Sequence, residues 1–240
     1  MIFSINSYKM ALPIRIDVVS DVVCPWCYIG KRRLESALAE LSNEVQADVV
    51  YHPFQLDPTV PRQGKSFAEH MASKFGPGRS ESMFQHVEQV ASEVGLDFDF
   101  NEIPKSINTF DLHRLLTIAY EKGLQAATKE ALLKAYFVDR IDLTQEAVLL
   151  NVLETAGWDK KEALEVLKSE VASDSVQSEM EYFKQLGVSG VPFFILNNKY
   201  ALSGAQPKET FMQALRQVIQ ESQPQIIAEG DSCDTITGEC

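Results

Sequence analysis

Cysteine is scarce in this chain, with four in 240 residues, at positions 24, 27, 233 and 240. A disulfide framework needs more cysteines in a much shorter chain, and a chain of this length can bury a core without staples. Positive charge is also in deficit. Lys and Arg number 22 against 34 Asp and Glu, for a net charge of −12. Nucleic acids and anionic membranes select basic patches, so neither is an expected partner. No apolar run approaches the ~20 residues of a membrane-spanning helix. Residues 1–10 lack the basic and apolar regions of a signal peptide, so a cytoplasmic location is expected. Met10 would serve as an alternative start, leaving residues 1–9 as an extension. Histidine is rare too. None of the four is spaced like a metal-ligand motif, and no metal is expected.

Two of the cysteines sit in a chemically loaded place. Cys24-Pro25-Trp26-Cys27 follows a β-branched run, Ile14 to Val19, and precedes a helical pattern with Leu34, Ala37, Leu38 and Leu41 on one face. A helix start offers unpaired N–H groups and partial positive charge, both of which favour a thiolate. Cys24 is expected to be an exposed attacking thiol. Cys27, one turn on, would resolve the mixed disulfide. Pro25 would preset the helix start. Asp17 and Asp21 could take the Cys27 proton, although pairing and turn formation are the commoner uses of such carboxylates.

A second strand is expected over 45–54, ended by Pro53. Helical patterns then occupy 67–75, 81–94, 110–122, 128–140, 144–155 and 160–186, the last broken near Ser173, with Thr144 and Asp159 as N-caps. Strand residues return at 191–196, turn at Asn197-Asn198 and run back over 200–203. A last helix covers 207–220, with Pro207 in its first turn.

Four segments in order, residues 20–31, 108–115 (Asn108-Thr109-Phe110-Asp111-Leu112-His113-Arg114-Leu115), 187–194 and 203–206, resemble the DsbA-like thioredoxin family, in its FrnE-type branch. The resemblance spans about residues 14–220. It implies an α/β thioredoxin fold, βαβ then ββα, interrupted by a large all-helical insertion. The expected division is an extension over 1–12, a first thioredoxin part over 13–62, the insertion over 63–172, a second thioredoxin part over 173–222 and a tail over 223–240. It also implies a cis peptide bond at Val191–Pro192 facing the cysteines, where the Val191 backbone would pair with substrate. Asn108 and His113 match a segment near the family's active site, although capping and packing would equally account for them. The loop at 203–207 would hold a carboxylate or simply turn the chain. Trp26 would touch substrate or cover the loop. It stands where strongly oxidising relatives carry His, and without a charge there the couple is expected to be less oxidising.

The function this implies is thiol–disulfide oxidoreductase, acting on protein or small-molecule thiols and disulfides. No cofactor is expected to be tightly bound, and glutathione is a candidate redox partner. Cys233 and Cys240 would be an auxiliary redox pair, a structural disulfide or idle thiols. A glutathione-dependent transferase or 2-hydroxychromene-2-carboxylate isomerase-like enzyme shares the architecture, but such relatives carry Ser at the position of Cys24. A client-binding module is the non-enzymatic alternative.

Overall fold

A computed structural model describes residues 11–76 and 79–222. Strand β1 (Leu12–Ser20) is followed by α1 (Pro25–Glu40) and β2 (Val45–Pro53). Next come β3 (Lys65–Ser66), α2 (Phe67–Phe75), α3 (Arg79–Ser92), a single 3₁₀ turn at Phe100–Glu102 and β4 (Lys105–Ser106). Five helices follow: α4 (Phe110–Glu121), α5 (Gln125–Phe137), α6 (Glu146–Thr155), α7 (Lys160–Lys168) and α8 (Ser173–Gln185). The chain closes with β5 (Phe193–Leu196), β6 (Tyr200–Ser203) and α9 (Lys208–Ser222). The four long strands order as β2-β1-β5-β6, with β1 parallel to β2 and antiparallel to β5. This is the thioredoxin arrangement with helices inserted. The insertion is helical apart from the two-residue pairing of β3 with β4.

Strand β1 is central in its sheet, so from Ile16 to Ser20 both of its faces are buried. One face joins Ile14, Ile16 and Val18 to Leu34 of α1, Phe194 and Leu196 of β5, and Phe211 and Leu215 of α9. A second core fills the insertion around Leu115, Leu132, Leu133 and Phe137, and it draws in Tyr28 and Ile29 from α1. Helix α1 therefore belongs to both cores.

Polar contacts seat the insertion. Glu130 of α5 takes a hydrogen bond from Tyr28 at 2.7 Å and pairs with Lys31 and Arg32. Gln125 occupies the edge of β2 as another strand would. Its Oε1 accepts from the Tyr51 N–H and its Nε2 donates to the Tyr51 carbonyl, each at 2.9 Å. That pairing explains why α5 starts at Gln125 instead of at the expected Thr128. Thr144 is not a cap. Its N–H and hydroxyl both donate to Asp142, and α6 begins two residues later behind Gln145. Asp159 does cap α7, accepting from the N–H groups of Lys161 and Glu162. The expected break near Ser173 lies at Ala172, whose φ is +64°.

Candidate active site

The cysteines stand where β1 gives way to α1. Pro25 is the first residue of α1 and Cys24 its N-cap, with no side-chain cap bond, and the Cys27 N–H donates to the Cys24 carbonyl at 3.0 Å. Both sulfurs are free thiols. The Val191–Pro192 peptide bond is cis. It lies against the motif, where the Cys24 thiol donates to the Val191 carbonyl across 3.6 Å. Gly30 permits this approach. A Cβ there would stand 3.0 Å from the Phe194 ring and 3.2 Å from Pro192 Cγ, so a side chain at this position would need both to give way by a few tenths of an ångström. The 203–206 loop is tied back to the same place. Gly204 N–H donates to the Pro192 carbonyl at 2.8 Å, and Arg33 holds the Ala205 carbonyl at 2.7 Å.

One expectation is corrected. Cys24 is not an exposed attacker: it is 3 % exposed, as buried as Cys27 at 4 %. Its access is through a cavity of about 380 Å³, whose wall it shares with Val23, Pro25, Trp26 and Val191. The cavity exists because α2, α3 and the 3₁₀ turn close over the motif. Trp26 is half-buried on its wall, its ring 6.0 Å from that of His86 on α3.

The carboxylates before the motif have structural partners. Asp17 pairs with Arg15 and with His52 Nε2 at 2.8 Å. Burial alone would raise its pKa, but these partners hold it below the ordinary value. Asp21 is wholly buried. One oxygen accepts from the Val22 N–H at 2.7 Å and lies 3.2 Å from His113 Nε2, while the other accepts from the Leu56 N–H at 2.8 Å. Here too burial pushes the pKa up, and His113 with the surrounding donors brings it below normal. His113 Nε2 also donates to the Phe54 carbonyl at 2.8 Å. Asn108 accepts from the Phe110 N–H at 3.0 Å and donates to the Val60 carbonyl at 2.7 Å. His113 and Asn108 thus brace the segment after β2 that carries the cavity's floor, and neither lines the cavity itself. Cys233 and Cys240 lie outside the described residues.

Lys129 is the residue the sequence pattern did not single out. It is 1 % exposed, its Nζ has no hydrogen-bond partner among the described residues, and its ammonium lies 5.8 Å from the Tyr51 ring centroid. Burial drives its pKa down, opposed by the charges of Cys27, Asp21 and Cys24 close by. Burial likewise pushes the Cys27 thiol well up, the neighbouring Cys24 sulfur adds to this, and Lys129 works against it. A signal was present in the sequence. Lys129 lies on the side of α5 that carries Gln125, Thr128, Leu132 and Tyr136, all buried, and a lysine on such a face needs a reason.

No group of metal-ligating side chains occurs among the described residues. No helix of the described residues is long and apolar enough to cross a membrane. A family model described as the DSBA-like thioredoxin domain matches residues 15–216. A "probable DsbA oxidoreductase" from Streptomyces coelicolor is 32% identical, superposes with a TM-score of 0.81 and aligns over 92% of this chain and 97% of that one. The cytosolic disulfide reductase DsbM from Pseudomonas aeruginosa, solved with GSH, is 19% identical with a TM-score of 0.61, over 86% and 99%. A 2-hydroxychromene-2-carboxylate isomerase shares the fold at 15% identity and a TM-score of 0.66, over 86% and 97%. The uncharacterised YwbO of Bacillus subtilis is 22% identical over 208 residues, covering 85% of this chain and 96% of its own. With its paired thiols set against a cis-proline and the family model spanning nearly all of the described fold, the chain belongs to the DSBA-like thioredoxin family.

Proposed function

We propose that the protein is a thiol–disulfide oxidoreductase of FrnE type that works in the cytoplasm as a disulfide reductase or isomerase. The observation that carries this reading is the pair of free thiols at the start of α1, with the Cys24 thiol held on the Val191 carbonyl. The Cys24 thiolate attacks one sulfur of a substrate disulfide, and the other sulfur leaves as a thiolate that takes up a proton. Cys27 then loses its proton and attacks Cys24 Sγ, which releases the second substrate thiol and leaves a Cys24–Cys27 disulfide. Two equivalents of a monothiol such as glutathione, or one dithiol, return the pair to the reduced state. The glutathione-bound DsbM relative is in keeping with that donor. A glutathione-dependent isomerase has no use for a second thiol behind the first, so the intact pair weighs against that chemistry.

A single-turnover experiment tests the proposal. Reduced protein mixed with a small disulfide is expected to release two thiols per chain and to carry an intramolecular Cys24–Cys27 link by mass spectrometry. Thiol release without that link would overturn it. Cys233 and Cys240 enter the proposal as an auxiliary pair. Replacing both by Ser is expected to slow re-reduction of the first pair, and unchanged turnover in every redox assay would remove them from the scheme.

Resolution has a kinetic obstacle, because a buried thiol gives up its proton reluctantly. As an ammonium, Lys129 stabilises the Cys27 thiolate through space, without a hydrogen bond to the sulfur. Lys129→Met keeps the bulk and removes the charge. Resolution speeds up as pH rises through the Cys27 pKa, and that pKa climbs further without Lys129. The rise in rate is therefore expected at higher pH in the variant, read as decay of a preformed mixed disulfide. An unchanged pH profile would show that Lys129 only fills space.

A further inference from the structure

His52 stands on β2, and both of its ring nitrogens lie on carboxylates. Nε2 is 2.8 Å from Asp17 Oδ1 on β1, and Nδ1 is 3.1 Å from Glu179 Oε1 on α8. A neutral imidazole has a single N–H, so one of these contacts would set a lone pair against a carboxylate oxygen. Only the imidazolium donates to both. Asp17 and Glu179 face the ring directly. Arg15 on β1 holds Asp17 from its other side at 2.9 Å and also reaches Asp48 on β2, and the Tyr120 hydroxyl of α4 stands beside that guanidinium. Towards solvent on α8, Glu181 and Lys184 pair with each other.

This bridge lies at the edge of a small core that leads to the cysteines. In the sheet His52 is in register with Val19, and Val19 with Phe193. The His52 ring lies 4.7 Å from the ring of Phe183 on α8. Phe183 forms a third core with Val19 and Val188, and Val191 and Phe193 pack against it. The Val188 N–H donates to the Phe183 carbonyl at 3.0 Å. A little further along, the Val191 carbonyl takes the Cys24 thiol. Helix α8 therefore fixes, through Phe183 and Val188, the main chain beside Cys24.

Resting on the oxidoreductase reading above, we propose that His52 is a positioning residue: as an imidazolium bridging Asp17 and Glu179 it clasps α8 to the sheet, holds the main chain from Val188 to Val191 beside Cys24, and makes the alignment of a peptide disulfide there depend on pH. Burial alone would lower the His52 pKa, but its hydrogen bonds to Asp17 and Glu179 raise it above the ordinary 6.5. An unfolded histidine loses its proton near about 6.5. The clasp is thus complete below that pH and is lost as pH rises through the higher value in the folded chain. Burial also disfavours charge on Asp17, but His52 and Arg15 keep it ionised across this range. Once the ring is neutral, one N–H stays on Asp17, and the more exposed Glu179 is the partner that lets go.

Glu179→Gln separates the clasp from simple packing. A glutamine amide donates to a bare nitrogen as readily as it accepts from an N–H, so it suits a neutral ring. The pH dependence is expected to vanish in this variant while α8 stays docked. Three measurements are made on both chains between about pH 5.5 and 9. By NMR, the His52 ring is expected to titrate above 6.5 in the wild-type chain, and at a lower pH in the variant. Hydrogen-exchange protection of α8, corrected for intrinsic rates, is expected to fall about two- to fivefold through that transition in the wild type, as for a partly exposed pair, and to stay level in the variant. The third measurement is a ratio of rates with Cys24, a blocked and uncharged Ala-Cys-Ala disulfide over hydroxyethyl disulfide, in which the ionisation of Cys24 cancels. It is expected to fall by a similar factor in the wild type and to hold in Glu179→Gln. A His52 that titrates at or below 6.5, or a protection or rate ratio that follows the same course in both chains, would overturn the clasp and leave the oxidoreductase reading intact. No reaction of Cys24 with either disulfide would instead overturn the oxidoreductase reading, while the titration and the exchange would still test the clasp.

Discussion

Cys24→Ser is expected to abolish disulfide reduction, measured with insulin and with small disulfides, to the level of buffer. A serine hydroxyl is un-ionised at neutral pH and forms no bond to sulfur that a resolving thiol could exchange, so no part of the cycle survives. Cys27→Ser gives the complementary result. Cys24 can still attack, but nothing displaces the substrate from it, and a Cys24 mixed disulfide is expected to accumulate to one equivalent per chain. Intact-mass measurement reads both outcomes at once. Retained turnover in Cys24→Ser would place the reaction on other residues. Loss of all adduct in Cys27→Ser, with the fold preserved, would mean that Cys27 and not Cys24 attacks. Serine is similar in size to cysteine, so neither substitution leaves a cavity, and a thermal melt of each variant checks that the buried hydroxyl leaves the fold intact.

The largest effect on stability is expected at Arg114, far from the sulfur chemistry. This guanidinium is 1 % exposed and sits at the junction of α4 with the α7–α8 turn. It donates to the carbonyls of Val171 at 2.9 Å, Val166 at 2.7 Å and Ser169 at 2.5 Å, and to Asp111 at 2.8 Å. Those carbonyls belong to the end of α7 and the turn after it, where a helix has no partners of its own for its last acceptors. Arg114→Met keeps most of the volume and strands the Val171 and Ser169 carbonyls, while the Val166 carbonyl keeps the Ser169 N–H and hydroxyl. The loss is expected to be about 3–5 kcal/mol, of the size seen when a buried charge network is broken. For a chain of this size that is a fall in Tm of roughly 6–20 °C. Urea and thermal melts measure it, and a loss below 1 kcal/mol would mean that water satisfies the turn as well as the arginine does.

Local features of the chain foretold a good deal. Pro25 at a helix start, the β-branched Ile14 to Val19, and Asp159 ahead of a helical pattern each act over a few residues, and each was found where local chemistry places it. Where a distant partner decided the outcome, sequence reading failed. Thr144 failed for a local reason instead, since Asp142, two residues back, captured its N–H and hydroxyl. Helix α5 began early because Gln125 reaches the main chain of Tyr51, 74 residues away. Asn108 and His113 were legible as special but not as braces, since their partners on the segment after β2 lie 48 to 59 residues off.

By itself the sequence determined the Cys24 and Cys27 thiols at a helix start and the order βαβ, helices, ββα, which follow from short-range propensity; the cis bond at Pro192 beside them was implied by the family resemblance. Only the tertiary structure decided that Cys24 is buried, that α2 and α3 close an apolar cavity over it, and that Lys129 stands behind Cys27. Burial and the dielectric around a charge depend on which helices pack against the site. That packing is set by contacts between residues tens to more than a hundred positions apart.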